Sequence, residues 1–201
     1  MQYALSAESK RIPASPGLHA FCPLCGRSVV AKCGTIKLWH WAHTFASNCD
    51  WHEPESLWHR SWKERFPEEF REVTMKPHRA DVATRIMVVE FQKSHISMED
   101  VVKRTLFYKN QRSAGLRWVV NTESFESRVS FSDTPTANSS SMSTFTLPKR
   151  RVEWEEARRL GATVVFDFSM GFFVGFDLWD GGLTWHGFWG DKEYFVNSAL
   201  R

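Results

Sequence analysis

Two sets of side chains in this sequence have the types and spacing to do chemistry. The first is Cys22-x2-Cys25-x17-His43-x5-Cys49. A pair of soft ligands two residues apart, completed by a distant histidine and cysteine, suits a tetrahedral zinc site with no open position and therefore a structural role. His40 competes for the third place, because HWAH sets two histidines three apart. Cys33 has no paired cysteine and is expected to be a small buried hydrophobe. In a reducing compartment metal binding is a better expectation than disulfides.

The second set lies in HRADVATRIMVVEFQKS, which carries Asp81, Glu90, Gln92 and Lys93. A two-residue turn at Thr84 and Arg85 would set Ala83 opposite Ile86 and Asp81 opposite Val88, making Asp81 and Glu90 diagonal neighbours. Two converging carboxylates suit magnesium or manganese, which neutralises a phosphate and generates hydroxide. Strand alternation puts Gln92 on the same face, where it could orient water but not act as its base. Lys93 points away unless a bulge re-aims it. Upstream, Glu55 and His59 are four apart on a predicted helix, with Lys63 one more turn along. Glu55 could add an outer metal contact, and His59 or Lys63 could meet a scissile phosphate. By spacing alone, a surface hairpin with Glu90 salt-bridged beside Arg79 is the commoner explanation of the two acids.

The elements that must position these groups follow from patterning. CPLCG is a tight knuckle, SVVAKCG and IKLWHWAH are short strands, and Gly34 marks the turn between them. Residues 54 to 66 have the helix formers and apolar stripe of a helix, with Pro54 in its first turn. REVTMK and HRADVAT alternate like strands, and RIMVVEFQ is short and apolar enough for a buried one. Ser97 and Asp100 form a capping box for a helix from Met98 to about Gln111, followed by the strand LRWVVNT. After a polar stretch come a short helix ending near Gly161, the strands TVVFDF and GFFVGFDLW, a hairpin through WDGGLTWHGFW, and a closing helix. These divisions predict an irregular N-terminus over 1–17, a zinc module over 18–52, a catalytic core over 53–122, a flexible polar loop over 123–150, and C-terminal helix and strands over 151–201 that pack on or complete the core.

With 201 residues the chain can bury a core, and its net charge of +3 permits a nucleic-acid partner without demanding one. No stretch has the apolar length to cross a bilayer, and MQYALSAESKRIPASP lacks the apolar middle of a signal peptide, so a soluble cytoplasmic protein is expected. An oligomer is possible but nothing indicates one. The ten tryptophans are expected mainly in packing, although Trp185, His186 and Trp189 are candidates to stack on single strands, and Lys149, Arg150 and Arg151 to touch phosphate.

Several of these segments resemble the competence protein CoiA family, whose nuclease-like domain belongs to the PD-(D/E)XK superfamily. FCPLCGRSVVAKCG with HWAH is similar to its N-terminal cysteine knuckle, PESLWHRSWK to its first core helix, HRADVATRIMVVEFQKSHIS to its catalytic hairpin, and KRTLFYKN and LRWVVNTE to the next helix and strand. The resemblance covers roughly residues 18 to 122. It implies a restriction-endonuclease-like α/β core, a mixed sheet flanked by helices, that hydrolyses DNA phosphodiester bonds in DNA processing, recombination or defence. Asp81 and Glu90 match the metal carboxylates, Glu55 the acid of the first helix, and Gln92 the place where many members carry lysine. A non-catalytic DNA-binding or recombination-assisting protein with the same fold is the alternative.

Overall fold

The computed structural model describes residues 1–45, 49, 55–132, 142–179 and 183–201, with backbone alone at 176–179. Two compact units divide the chain, Met1–Asp81 and Val82–Arg201, so neither the expected boundary after residue 52 nor that after 122 separates them.

In the first unit, strands β1 (Tyr3–Leu5), β2 (Arg11–Pro13), β3 (His19–Phe21), β4 (Ser28–Lys32) and β5 (His40–His43) form a sheet in the order β2-β1-β3-β4-β5. The expectation of an irregular stretch over 1–17 is corrected here. Ala4 pairs with Ile12 across an antiparallel hairpin, and Ala4 is packed into a core with Ala20, Val29 and Trp41. The polar appearance of this stretch comes from its turn, where the Ser6 N–H donates to the Lys10 carbonyl at 2.8 Å.

Helix α1 (Leu57–Lys63) is shorter than expected. Its N-cap is Ser56, whose hydroxyl accepts the His59 N–H; Pro54 lies outside the described residues. Strands β6 (Arg71–Met75) and β7 (His78–Ala83) run side by side after it. β7 carries the chain into the second unit.

There the last residues of β7 meet strand β8 (Val88–Gln92), with Val82 opposite Val89 and Ala83 opposite Val88. The two-residue turn is therefore wrong. Thr84 to Met87 make a longer one, closed by the Thr84 N–H to the Met87 carbonyl at 2.8 Å and by the Thr84 hydroxyl accepting the Ile86 and Met87 N–H groups. Helix α2 (Met98–Tyr108) starts at Ser97, which accepts the Asp100 N–H as the capping pattern predicts. It is the crossover to β9 (Leu116–Asn121), which is parallel to β8.

Residues expected to form a flexible loop over 123–150 instead include strands β10 (Ser130–Phe131) and β11 (Ser143–Thr146); positions 133–141 lie outside the described residues. The ring of Phe145 is fully buried among Phe166, Phe168 and Phe173, and this anchoring outweighs the polar composition around it. Helix α3 (Val152–Arg159), strands β12 (Thr163–Phe168), β13 (Gly171–Trp179) and β14 (Thr184–Gly190), and helix α4 (Lys192–Leu200) complete the unit. Its strands follow the order β10-β11-β14-β13-β12-β9-β8, a large mixed sheet with β8, β9 and β12 parallel and the rest antiparallel. β13 and β14 approach so closely that a Cβ at Gly187 would sit 2.0 Å from the Val174 carbonyl oxygen.

Register assigns the two faces. Glu90 pairs with Trp118 and Gln92 with Val120, whereas Val89 pairs with Arg117. Strand alternation thus puts Glu90 and Gln92 on the face of Trp118 and the opposite face in line with Arg117. Helices α2 and α3 cover the Glu90 face, through Trp118 donating its indole N–H to Thr105 at 2.9 Å and packing 5.5 Å from the Trp154 ring.

Candidate functional site

In the first unit the cysteine knuckle is fixed by its backbone. The Cys22 N–H donates to the Arg27 carbonyl, the Gly26 N–H donates to the Cys22 carbonyl, and Gly26 takes φ +72°, a left-handed turn that glycine adopts freely. β5 supplies His43. The candidate ligand atoms of Cys22, Cys25, His43 and Cys49 all lie within 4.8 Å of one another. Cys25 Sγ is 3.2 Å from His43 Nε2, and Cys22 Sγ is 3.8 Å from Cys49 Sγ. This cluster could hold a metal ion. Its donor chemistry fits one, since burial and the Cys22 thiol beside it push the Cys49 thiol up to about 12, and a cation is what allows such crowded sulfurs to exist as thiolates. His40 does not belong to it: its Nδ1 lies 2.7 Å from the Leu38 carbonyl oxygen. Cys33 packs, partly buried, against the core of this unit.

The second feature of this unit is a buried charge cluster. Lys63, only 2 % exposed, reaches Glu55 at 2.6 Å and Glu72 at 2.7 Å. Arg60 also pairs with Glu55 at 3.0 Å, and Arg79 with Glu72 at 3.1 Å. Glu72 further accepts the backbone N–H groups of Gln2 and Tyr3, and it holds φ +49°, a conformation in which a non-glycine residue is strained. Burial alone would raise its pKa, but Lys63 and Arg79 together hold this carboxyl far below the usual carboxylate range. The neighbouring carboxylates of Glu72, Glu55 and Asp81 outweigh burial at Lys63 and raise its pKa. Asp81, half-buried at the end of this unit, is therefore within the field of a buried ammonium. Arg79, expected beside Glu90, pairs here with Glu72. His59 serves the helix start, with Nδ1 2.8 Å from the Ser56 hydroxyl.

In the second unit Glu90 is 1 % exposed and pairs with Arg104 at 2.7 Å. Arg104 projects from α2, one turn before the fully buried Tyr108 and beside the Trp118 ring. From sequence, Arg104 is placed in KRTLFYKN on a helix but assigned no role. The signal was its place in the stripe Val101, Thr105 and Tyr108, which faces the sheet. Gln92 is buried and donates its amide N–H to the Ser94 carbonyl at 2.9 Å. Lys93 points outward as a regular strand predicts, and pairs with Glu123 at 2.7 Å. A polar pocket of about 130 Å³ opens beside Gln92, with Lys93, His95, Asn121 and Arg151 in its lining.

Two of the C-terminal tryptophans serve packing, as expected of most of these rings, rather than standing free to stack on single strands. Trp185 and Trp189 are buried, packed against Phe166 and Phe173 respectively. Arg150 pairs with Glu155, and Arg151 lies over the Phe125 ring. No helix among the described residues is long and apolar enough to cross a membrane.

Comparison with known families matches residues 18–52 to the competence protein CoiA N-terminal domain and residues 72–151 to the competence protein CoiA nuclease-like domain. Neither a curated protein nor a solved structure matches the chain.

Glu72→Gln removes the charge that Lys63 and Arg79 neutralise, and should cost roughly 3 kcal/mol in denaturant unfolding at neutral pH. Because the folded carboxyl is held below its ordinary value of 4.5, its stabilisation is complete above that value and is lost on acidification below it. The wild type should lose stability on acidification through that range more steeply than Glu72→Gln; parallel profiles would show that the cluster is not stabilising.

Proposed function

We propose, from the premise that this chain belongs to the competence protein CoiA family, that it is a magnesium- or manganese-dependent nuclease hydrolysing DNA phosphodiester bonds. Asp81 and Glu90 hold the cation. The observation that carries this is the pairing of Val82 with Val89. Asp81 precedes the first of these residues and Glu90 follows the second, so each strand of the pair bears a carboxylate next to its paired residue. Oxygen donors of this kind fit a hard divalent ion. Such an ion, when bound, supplies charge neutralisation at the phosphate and a lowered pKa for water.

The protein's own groups do the rest. Gln92 is buried on the face of Glu90 and positions water, its side-chain carbonyl being an acceptor without being a base. Lys93 and Arg151, at the small pocket beside Gln92, meet substrate phosphate. Glu55 and Lys63 hold the charge cluster around Asp81 and act as positioning residues; His59 holds the Ser56 cap of its helix. In the N-terminal domain Cys22, Cys25, His43 and Cys49 bind structural zinc.

A non-catalytic DNA-binding role is favoured by one observation, the salt bridge that already neutralises Glu90 through Arg104. Cleavage separates the two. Purified protein with magnesium or manganese should degrade DNA, and Asp81→Asn or Glu90→Gln should lower the rate by at least about a hundredfold in protein that still folds, Glu90→Gln also melting lower because Arg104 loses its buried partner. Undiminished cutting by both variants would remove this site from the chemistry. Metal analysis should find one zinc per chain, lost in Cys22→Ser and Cys49→Ser together with much of the thermal stability; protein purified under mild conditions without zinc, yet folded, would refute the structural role.

A further inference from the structure

A cavity in the second unit lies on the sheet face away from Glu90. Its volume is about 820 Å³, within the range of small-molecule sites. Its floor is built from alternate residues of four adjacent strands, among them Arg117 of β9, Val165 of β12, Phe172 of β13 and Phe188 of β14, and α4 contributes Tyr194 and Phe195. Register explains why these residues share one surface: Arg117 pairs with Thr163, Val165 with Val174, and Val174 with Phe188. The aromatic groups at its rim are exposed, Tyr194 by 68 % and Phe188 by 42 %.

Arg117 is the exceptional member of this lining. Desolvation lowers its pKa, with the Tyr194 phenol as its countervailing acidic neighbour. A guanidinium has five N–H donors, and here one donates to the Ser198 hydroxyl at 2.7 Å while the cation lies 5.2 Å from the centre of the Phe195 ring. Among the described residues no carboxylate pairs with it. Asp191, also at the cavity, accepts the Tyr194 N–H as the N-cap of α4. A cation partly withdrawn from water, with donors left over and aromatic faces around it, is complementary to an anion attached to a flat ring.

We propose that this cavity is a nucleotide-binding subsite that takes one unpaired nucleotide of a single-stranded substrate, its phosphate on Arg117 and its base against Tyr194 and Phe188. Phosphate pairing with arginine and stacking on aromatic side chains are the two contacts by which proteins hold single strands. An alkyl-chain anion would meet the same charge, but it would gain nothing specific from the exposed ring faces at the rim. The proposal rests on the assignment of nucleic acid as substrate, not on catalysis, because the cavity is on the opposite sheet face from Glu90.

The test is fluorescence anisotropy of the full chain with a short 3′-labelled, 5′-phosphorylated oligothymidylate, without added magnesium or manganese. Arg117→Gln should weaken binding by about tenfold or more, and Tyr194→Ala, a change at an exposed side chain, should weaken it while leaving the fold intact. Thymidine 5′-monophosphate should displace the probe where thymidine does not. Unchanged affinity in both variants, or displacement by laurate but not by the nucleotide, would overturn the proposal. Binding that survives Asp81→Asn but not Tyr194→Ala supports this subsite even if no cleavage is found; binding lost only through Asp81→Asn counts against it.

Discussion

Burying a carboxylate in the middle of a sheet is costly unless a positive charge accompanies it, and the second unit is arranged around that requirement at Glu90. All five residues of β8 are buried. Its apolar residues stabilise the strand, and Glu90 imposes the condition that a cation be delivered to one face. α2 meets it with Arg104, and the same crossover sets β9 parallel to β8. A salt bridge of this kind is weak evidence for stability, because an apolar pair in its place would commonly hold the fold as well. Under our proposal the acid has a use for its charge.

The first unit meets a similar demand by a denser arrangement. Lys63 is shared by Glu55 and Glu72, and Arg60 and Arg79 neutralise the remaining oxygens. Asp81 is a further carboxylate in the field of that ammonium and helps to keep it charged. The cysteine cluster braces a five-stranded sheet with a modest core, and a metal there would supply folding free energy that so few apolar residues cannot.

Much of this was legible in the residues themselves. The two-residue spacing of Cys22 and Cys25 and the later His43 and Cys49 fixed a ligand set, although choosing His43 over His40 needed the strand that points one toward the knuckle and leaves the other at its own backbone. The apolar run Val88–Phe91 and the cap at Ser97 located β8 and α2 closely. Other features depend on distant partners. A four-residue turn and a two-residue turn both fit Thr84–Met87 until the threonine hydroxyl closes one of them. Burial of Lys63 follows from Glu72, nine residues on, and the partner of Glu90 is set by the helix crossover that places Arg104. Polar stretches misled for a related reason: Ala4 and Phe145 are single anchors in surroundings that composition marks as loop, and one well-packed side chain suffices to fix a short strand.

The two faces of the mixed sheet then have different work under the two proposals. One carries Glu90 and Gln92 beneath α2 and α3, and the other presents Arg117 among aromatic rings beside α4. The central claim is that Glu90 is kept to bind a divalent cation rather than to hold α2 in place. Manganese titration followed by electron paramagnetic resonance, on zinc-loaded protein without DNA, tests it most directly. A saturable manganese site in the wild type, absent in Glu90→Gln protein that keeps its zinc and still unfolds cooperatively, is the predicted result. Equal manganese binding by the two proteins would contradict it.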